Sequence, residues 1–139
     1  MLVRAWMTAN PTTIQPTDSL TTAQDRMDKG GFRRLPVVDD RGALLGIVTD
    51  RDMRRHHGYY GSTLVDAAMT EKLITVLPDD PLAKVVDLVL RHKIDGLPVV
   101  GGDGALVGII TVTDLVRALA HRLGGDAGAS AAADAASRK

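Results

Sequence analysis

The stretch Gly46-Ile47-Val48-Thr49-Asp50-Arg51-Asp52 defines a repeating unit, because it occurs again as Gly108-Ile109-Ile110-Thr111-Val112-Thr113-Asp114. Each copy begins with branched apolar residues, which favour a β-strand. The Thr and Asp residues that follow are typical of the first turn of a helix. Each copy therefore predicts a short strand that runs directly into a helix.

The Thr and the last Asp of each copy are three residues apart, as Thr49 with Asp52 and Thr111 with Asp114. Side chains at this spacing on a helix share a face. The hydroxyl and the carboxylate therefore lie beside the unpaired N–H groups of a new helix, an arrangement that suits a phosphate and a ribose diol. The structural alternative is a capping box, in which the same two side chains only start the helix.

The whole chain is a tandem duplication with a shift of 62 residues and no gap. By count, about 22 of the 54 positions from 2 to 55 are identical to the positions 62 residues later. Leu35-Pro36-Val37-Val38, for example, returns as Leu97-Pro98-Val99-Val100. Unrelated segments would match at only a few positions, so each strand–helix motif belongs to one of two equivalent repeats.

Local signals give the order of elements within a repeat. A helix with Asp18 as N-cap ends at Gly30-Gly31, and its counterpart has Asp80 as N-cap with Pro81 at the first helical position. The other predicted elements are a short helix over 2–7, an extended piece over 12–14, strands Arg34–Val38 and Leu44–Thr49, and closing helices from Asp50 to about His57 and from Thr113 to about Leu123.

These elements predict a mixed α/β (α+β) fold of two units, residues 1–58 and 65–124, joined by a linker over 59–64. Each unit has a small three-stranded sheet with flanking helices. A unit of about 60 residues buries its sheet only marginally, so we expect the two to pair about a pseudo-twofold axis and to form two equivalent clefts. Residues 125–139 are rich in Gly, Ala, Ser and Asp, and we expect a disordered tail that is dispensable for the fold.

Composition restricts the class of function. Lys plus Arg equals Asp plus Glu at 17 each. This balance argues against general nucleic-acid binding, which requires a strong basic excess. The absence of Cys excludes a thiol nucleophile and a Cys-bound metal. Adjacent His56 and His57 point about 100° apart on a helix and make a poor chelate, so we expect no metal site. No signal peptide and no membrane span are recognisable, and we expect a cytoplasmic protein.

The order, spacing and duplication of these motifs resemble a tandem pair of CBS domains, also called a Bateman module, over residues 2–121. The resemblance implies a non-catalytic sensor that binds an adenosine-containing ligand: AMP, ADP or ATP, with S-adenosylmethionine possible. It implies no cofactor, no catalytic residues, a homodimer, and regulation of a partner protein that the sequence does not identify.

The resemblance also implies the site residues. The aspartates would hold the ribose hydroxyls and the threonines would touch the phosphate side, while the adenine would pack near the first short strand and the strand that contains Pro. Guanidinium groups before that strand would suit phosphate oxygens. The implied ligand-binding residues are Thr13, Ile14, Arg33, Arg34, Leu35, Pro36, Thr49, Asp52, Thr75, Val76, Leu97, Pro98, Thr111 and Asp114.

The two repeats differ where the phosphate would lie. Arg33-Arg34 of the first repeat correspond to Asp95-Gly96 of the second, and a carboxylate repels a phosphate. We therefore expect unequal sites. Two other functions stay open on the sequence: a structural or oligomerisation module with unoccupied clefts, and, less favoured, an enzyme.

Overall fold

The computed structural model describes residues 1–124, and the predicted tail over 125–139 lies outside the described residues. Six helices and five strands form the described part, with a 3-10 turn at Tyr60–Ser62. In chain order they are α1 Val3–Trp6, β1 Thr8–Ala9, α2 Leu20–Gly30, β2 Arg34–Val38, β3 Leu44–Thr49, α3 Asp50–Arg54, α4 Val65–Ala68, α5 Leu82–His92, β4 Gly96–Val100, β5 Leu106–Thr111 and α6 Val112–Arg122.

The chain folds into two compact units whose boundaries differ from those of the two sequence repeats. The first-repeat unit consists of Thr12–Leu73 with Gly104–Leu106. The second-repeat unit consists of Met1–Pro11, Ile74–Asp103 and, of the described residues that follow, 107–124. Each unit therefore takes its opening helix from the other repeat: α1 belongs with the second repeat and α4 with the first.

Backbone hydrogen bonds fix α1 to the second-repeat unit. The N–H of Val3 donates to the carbonyl of Asp80 at 2.9 Å, and β1 pairs antiparallel with β5 through Thr8 and Ile109. The Trp6 ring packs against the His121 ring of α6 with 5.6 Å between centroids. Because Val3 is completely buried, this short helix is part of the core of that unit.

The same contacts occur for α4 in the first-repeat unit. The N–H of Val65 donates to the carbonyl of Asp18 at 2.8 Å. Thr70 forms an antiparallel bridge with Ile47 of β3, with hydrogen bonds of 2.8 and 3.0 Å in the two directions. Val65 is as buried as Val3, so the two exchanged segments play the same role in the two units.

Glycine in the motif makes this exchanged packing possible. A Cβ at Gly46 would lie 2.8 Å from the carbonyl oxygen of Thr70, and one at Gly108 would lie 2.9 Å from that of Thr8. Real Cβ atoms do not approach a backbone oxygen so closely. The two glycines thus allow the incoming segment to run against β3 and β5.

Both sheets are small. In the first-repeat unit β2 pairs antiparallel with β3, with Arg34 opposite Thr49, and a register shift occurs between Val37 and Val38. A parallel bridge from Ile14 to Val37 extends this sheet. In the second-repeat unit the strand order is β1-β5-β4, with an equivalent parallel bridge from Val76 to Val99. The predicted mixed α/β class and the strand bounds Arg34–Val38 and Leu44–Thr49 are confirmed.

Each unit has its own apolar core. The core of the first-repeat unit is formed by Ile14, Leu20, Ala23, Met27, Leu35, Val37, Val48, Met53 and Val65. The core of the second-repeat unit is formed by Val3, Val76, Leu82, Val85, Leu97, Val99, Ile110 and Ala118. The helices α2 and α5 each bury one face against these cores, and this packing stabilises elements that are too short to persist alone.

The predicted N-caps were wrong by one residue. Ser19, not Asp18, caps α2 by accepting a hydrogen bond from the N–H of Thr22, and Pro81 is the N-cap of α5 rather than its first helical residue. Asp18 and Asp80 instead accept hydrogen bonds from the N–H groups three residues earlier, at 2.9 and 2.8 Å. The carboxylates therefore close the turn before each helix, a use that competes with capping for the same residue types.

Candidate functional site

The junction of β3 and α3 carries the first predicted Thr–Asp pair. The N–H of Asp52 donates to Thr49 Oγ1 at 3.1 Å, and the N–H of Thr49 donates to Asp52 Oδ2 at 3.0 Å. Thr49 is extended and Asp52 is in the first helical turn, so the two side chains form a complete capping box. This capping box orients the carboxylate and leaves its second oxygen, Oδ1, outside the cap.

The junction of β5 and α6 repeats the arrangement. The N–H of Asp114 donates to Thr111 Oγ1 at 3.4 Å, and the N–H of Thr111 donates to Asp114 Oδ2 at 2.8 Å. The Thr111 hydroxyl also contacts Asp114 Oδ2 at 3.0 Å. The capping alternative therefore describes both junctions correctly, and any ligand would have to use carboxylates that already start a helix.

The remaining carboxylate oxygens differ between the junctions. Among residues 1–124, the only hydrogen bond that Asp52 Oδ1 accepts is a long one, 3.4 Å, from the hydroxyl of Thr70. Asp114 Oδ1 accepts a charge-assisted hydrogen bond of 2.9 Å from Arg117 Nη1. Asp52 is partly accessible, whereas Asp114 is only 2% exposed and is the one buried charged residue of the described chain.

Two arginines of the first repeat are next to the Thr49–Asp52 pair through their backbone. Arg34 begins β2 directly opposite Thr49, and the carbonyl of the exposed Arg33 accepts the N–H of Asp50 at 2.9 Å. These positions bring the predicted phosphate-binding and ribose-binding residues of the first repeat to one end of the sheet.

At the second junction this neighbourhood has the opposite charge. The carbonyl of Asp95 accepts the N–H of Val112 at 2.9 Å, as the carbonyl of Arg33 does in the first repeat. Gly96 then begins β4. An acidic side chain therefore stands where the first repeat has a basic one.

The residues predicted to surround the adenine are mostly core residues. Ile14 and Leu35 are at most 1% exposed, and the side chains of Val76 and Leu97 are similarly buried. Their backbone is engaged as well, since the N–H of Ile14 donates to the carbonyl of Pro36 at 3.0 Å and that of Val76 donates to Pro98 at 3.2 Å. The partly exposed members of the predicted set here are Thr13 and Thr75.

Sequence reasoning missed Thr70 and Arg117 as neighbours of the two carboxylates. Thr70 is far from Asp52 along the chain and reaches it only through the exchanged packing of the segment after α4. Arg117 follows Asp114 by three residues, a spacing that signals contact on a helix. The first repeat has the same spacing in Asp52 and Arg55, so the signal alone does not distinguish the repeats.

Within residues 1–124 no group of three or more His, Asp or Glu side chains is placed to hold a metal ion. The ring of His57 instead packs edge-on against Tyr60, 6.2 Å between centroids. No helix of that same part of the chain is sufficiently long and apolar to cross a membrane.

The sequence-family model of the CBS domain matches residues 3–58 and 65–121 of this chain. The chain therefore belongs to the CBS domain family and contains two such domains in tandem. Among curated relatives, inosine-5'-monophosphate dehydrogenase of Mycobacterium bovis is 40% identical over 120 residues, which make up 86% of this chain but 22% of the enzyme. The similarity to this enzyme thus concerns a small part of its length.

Two similar solved structures contain ligands. The CBS domain pair of protein MJ0100, in complex with 5'-methylthioadenosine and S-adenosyl-L-methionine, has a TM-score of 0.79 and 29% identity, and the match covers 88% of this chain and 98% of that one. CBSX2, a protein of Arabidopsis thaliana, in complex with AMP has a TM-score of 0.77 and 30% identity, with coverage of 86% and 96%.

Proposed function

We propose that this chain is a non-catalytic regulatory module that binds an adenosine-containing ligand and reports it to a partner protein. The observation that carries the proposal is the partly accessible carboxylate of Asp52, oriented by its capping box beside Arg33 and Arg34. A carboxylate oxygen outside the cap accepts hydrogen bonds from a ribose diol, and guanidinium groups suit a phosphate.

The ligands of the similar structures support this chemistry. AMP, 5'-methylthioadenosine and S-adenosyl-L-methionine differ at the 5' position but share adenine and a ribose with two free hydroxyls. The proposed ligand is AMP, ADP or ATP, because Arg33 and Arg34 adjoin the Thr49–Asp52 junction, with S-adenosylmethionine, which has no phosphate, as the alternative. The proposed site residues are those named from the sequence for the first repeat: Thr13, Ile14, Arg33, Arg34, Leu35, Pro36, Thr49 and Asp52. The corresponding residues of the second repeat are considered in the next section.

The regulated partner is proposed to be an enzyme of the nucleotide-metabolising kind, acting on the same chain or on another. The support is the similarity to the CBS part of a dehydrogenase that acts on inosine monophosphate. The proposed assembly is a homodimer. Exposed apolar side chains on α5 and α6 of the second-repeat unit supply the surface, as discussed below.

A ligand panel tests the proposal. AMP, ADP, ATP, S-adenosylmethionine and NADH are compared by thermal unfolding, where a ligand at about one hundred times its dissociation constant stabilises the folded state by about 2.7 kcal/mol. Asp52→Ala should weaken AMP binding about ten- to a hundredfold, the effect of a lost charge-assisted hydrogen bond. Asp50→Ala is the matched control, since Asp50 is a partly exposed carboxylate in the same helical turn.

A structural module without ligand is the second candidate, because both Thr–Asp pairs form capping boxes that need no ligand to explain them. This structural role predicts that Asp52→Ala lowers the free energy of unfolding by about 1 kcal/mol and does not change the affinity for any nucleotide of the panel. A wild-type protein that binds no member of the panel would favour this candidate over the sensor.

A further inference from the structure

The equivalent aspartates Asp52 and Asp114 differ in how many of their hydrogen-bond acceptor positions are already used. Asp114 Oδ2 already accepts hydrogen bonds from the N–H and the hydroxyl of Thr111, and Oδ1 accepts Arg117. A carboxylate has about four acceptor positions. With three of them filled and a side chain 3% exposed, Asp114 has neither the acceptors nor the access that a ribose diol needs.

Arg117 is held in place by its position in α6. This helix has 11 residues, and its buried Ala118 fixes the turn on which Arg117 lies. Side chains on a helix lean toward the N-terminus, so the guanidinium of Arg117 lies over Asp114 three residues earlier. Only 16% of the Arg117 side chain is exposed, and the ion pair is therefore largely shielded from water.

The first repeat has an arginine at the same position without the same contact. Arg55 corresponds to Arg117, but it lies just after the end of α3 and is exposed. In the described part of the chain it makes no ion pair with Asp52, whose Oδ1 accepts only the 3.4 Å contact from Thr70. A hydroxyl rotates away at little cost, so Asp52 keeps an acceptor that a ligand can use.

We propose that Arg117 is a specificity-determining residue that withholds Asp114 from the ligand, so that the chain binds one adenosine group through Asp52 and none through Asp114. The proposal rests on the proposed function and makes it more specific. Asp114 then serves to start α6, and the second repeat is a structural copy of the first. The acidic Asp95 next to the second junction has the same effect on a phosphate-bearing ligand.

Calorimetric titration with AMP tests this inference on the full chain. The expected stoichiometry is one AMP per chain. Asp52→Asn should weaken binding about ten- to a hundredfold, whereas Asp114→Asn should change the affinity by less than about twofold, since Asp114 does not touch the ligand. Thermal unfolding of each variant confirms that it is folded before its affinity is compared.

Removal of the arginine should open the second site. Arg117→Met keeps much of the apolar stem and should raise the stoichiometry for adenosine, which lacks the phosphate that Asp95 would repel, from one to two per chain. Arg55→Met is the matched control and should leave the stoichiometry at one. If Arg117→Met does not fold, the wild-type stoichiometry and the Asp114→Asn affinity decide the question.

The outcomes separate this inference from the proposed function. Two AMP per wild-type chain, an Asp114→Asn variant as impaired as Asp52→Asn, or a folded Arg117→Met variant that still binds one adenosine would overturn the role of Arg117 while the sensor function stands. Absence of binding of AMP and adenosine by the wild type would overturn the sensor function, and the inference with it.

Discussion

At the scale of single residues, Gly46 and Gly108 connect the sequence motif to the exchanged packing. Each lies where a side chain would meet the backbone oxygen of the incoming segment. Each motif therefore requires glycine because the backbone of Thr70 or Thr8 approaches closely, and not because the chain turns there. This contact joins a local motif to a segment about 24 or 100 residues away along the chain.

Gly46→Ala and Gly108→Ala should each lower the free energy of unfolding by about 1–3 kcal/mol, because the added methyl group overpacks a closed contact. Denaturant unfolding monitored by circular dichroism measures the change. Gly102→Ala is the control: no heavy atom lies within 4 Å of a Cβ built there. Equal stability of Gly46→Ala and Gly102→Ala would show that the segment after α4 does not pack on β3 as described.

Asp80 gives the second prediction at this scale. The hydrogen bond from the N–H of Leu77 lowers the pKa of the Asp80 carboxyl below its ordinary value, and Lys84 lowers it further. A lowered folded-state pKa contributes stability that is complete above the ordinary carboxyl pKa of about 4 and is lost as the pH falls through the folded pKa.

The free energy of unfolding should therefore decrease below about pH 4, and Asp80→Asn should reduce that decrease. Denaturant unfolding at pH 7 and at several acidic values measures both. Asp66→Asn, which replaces an exposed carboxylate at the start of α4, is the control for the loss of one surface charge. A profile of Asp80→Asn that superimposes on the wild type would contradict the assigned role of Asp80.

At the scale of elements, the helices of the two repeats differ in their outer faces. Val86 and Leu90 on α5 are four residues apart and exposed, and Val116, Leu119 and Leu123 continue an exposed apolar row on and just after α6. The positions 62 residues earlier are, in the same order, Gln24, Asp28, Arg54, His57 and Gly61. The apolar stripe is thus a property of the second repeat, and it is the surface that we propose for the homodimer.

Leu90→Asp together with Leu119→His gives the stripe residues that the first repeat already has, and should convert a dimer to a monomer. Light scattering coupled to gel filtration at tens of micromolar measures the change. Tyr59→Asp removes another exposed apolar side chain, 69% exposed, in the first-repeat unit, and should leave the dimer intact. A monomeric wild type, or a dimer unaffected by the double substitution, would contradict the proposal.

Helix ends show how far local sequence carries a prediction. The end of α2 follows directly from Gly31, which adopts the left-handed conformation at φ 71°. The predicted end of the first closing helix near His57 was three residues too far, because α3 ends at Arg54. The N–H groups of His56 and His57 donate to carbonyls only three residues earlier, so the chain continues in tighter turns that a helical periodicity does not distinguish.

At the scale of the whole molecule, the exchange of α1 and α4 was beyond prediction from the sequence. Leu2, Val3, Ala5, Met7 and Thr8 are identical to the residues 62 positions later. Because the two segments have the same apolar pattern, the local sequence does not predict which sheet each segment joins. For the candidate site the same limit applies: Asp-x-x-Arg occurs in both repeats, and only the length of α6 and the burial of Asp114 distinguish them.

Fragments test the exchange. A chain of residues 12–73 contains every core residue of the first-repeat unit, including Val65, whereas a chain of residues 1–58 lacks Val65, Ala68 and Met69. The fragment 12–73 should therefore show more helix and a more cooperative thermal transition by circular dichroism, although a unit of this size is only marginally stable. A more cooperative transition for 1–58 would mean that the sequence repeat, and not the exchanged unit, folds alone.

The exchange also determines what a protease can release. The 3-10 turn at Tyr60–Ser62 joins the repeats, and Gly58 and Tyr59 before it are exposed. A nick there leaves an N-terminal piece that still supplies α1 to the second-repeat unit, and a C-terminal piece that still supplies α4 to the first. Each piece completes the other's core, so the cleaved protein stays associated through the buried Val3 and Val65 and separates only when a unit unfolds.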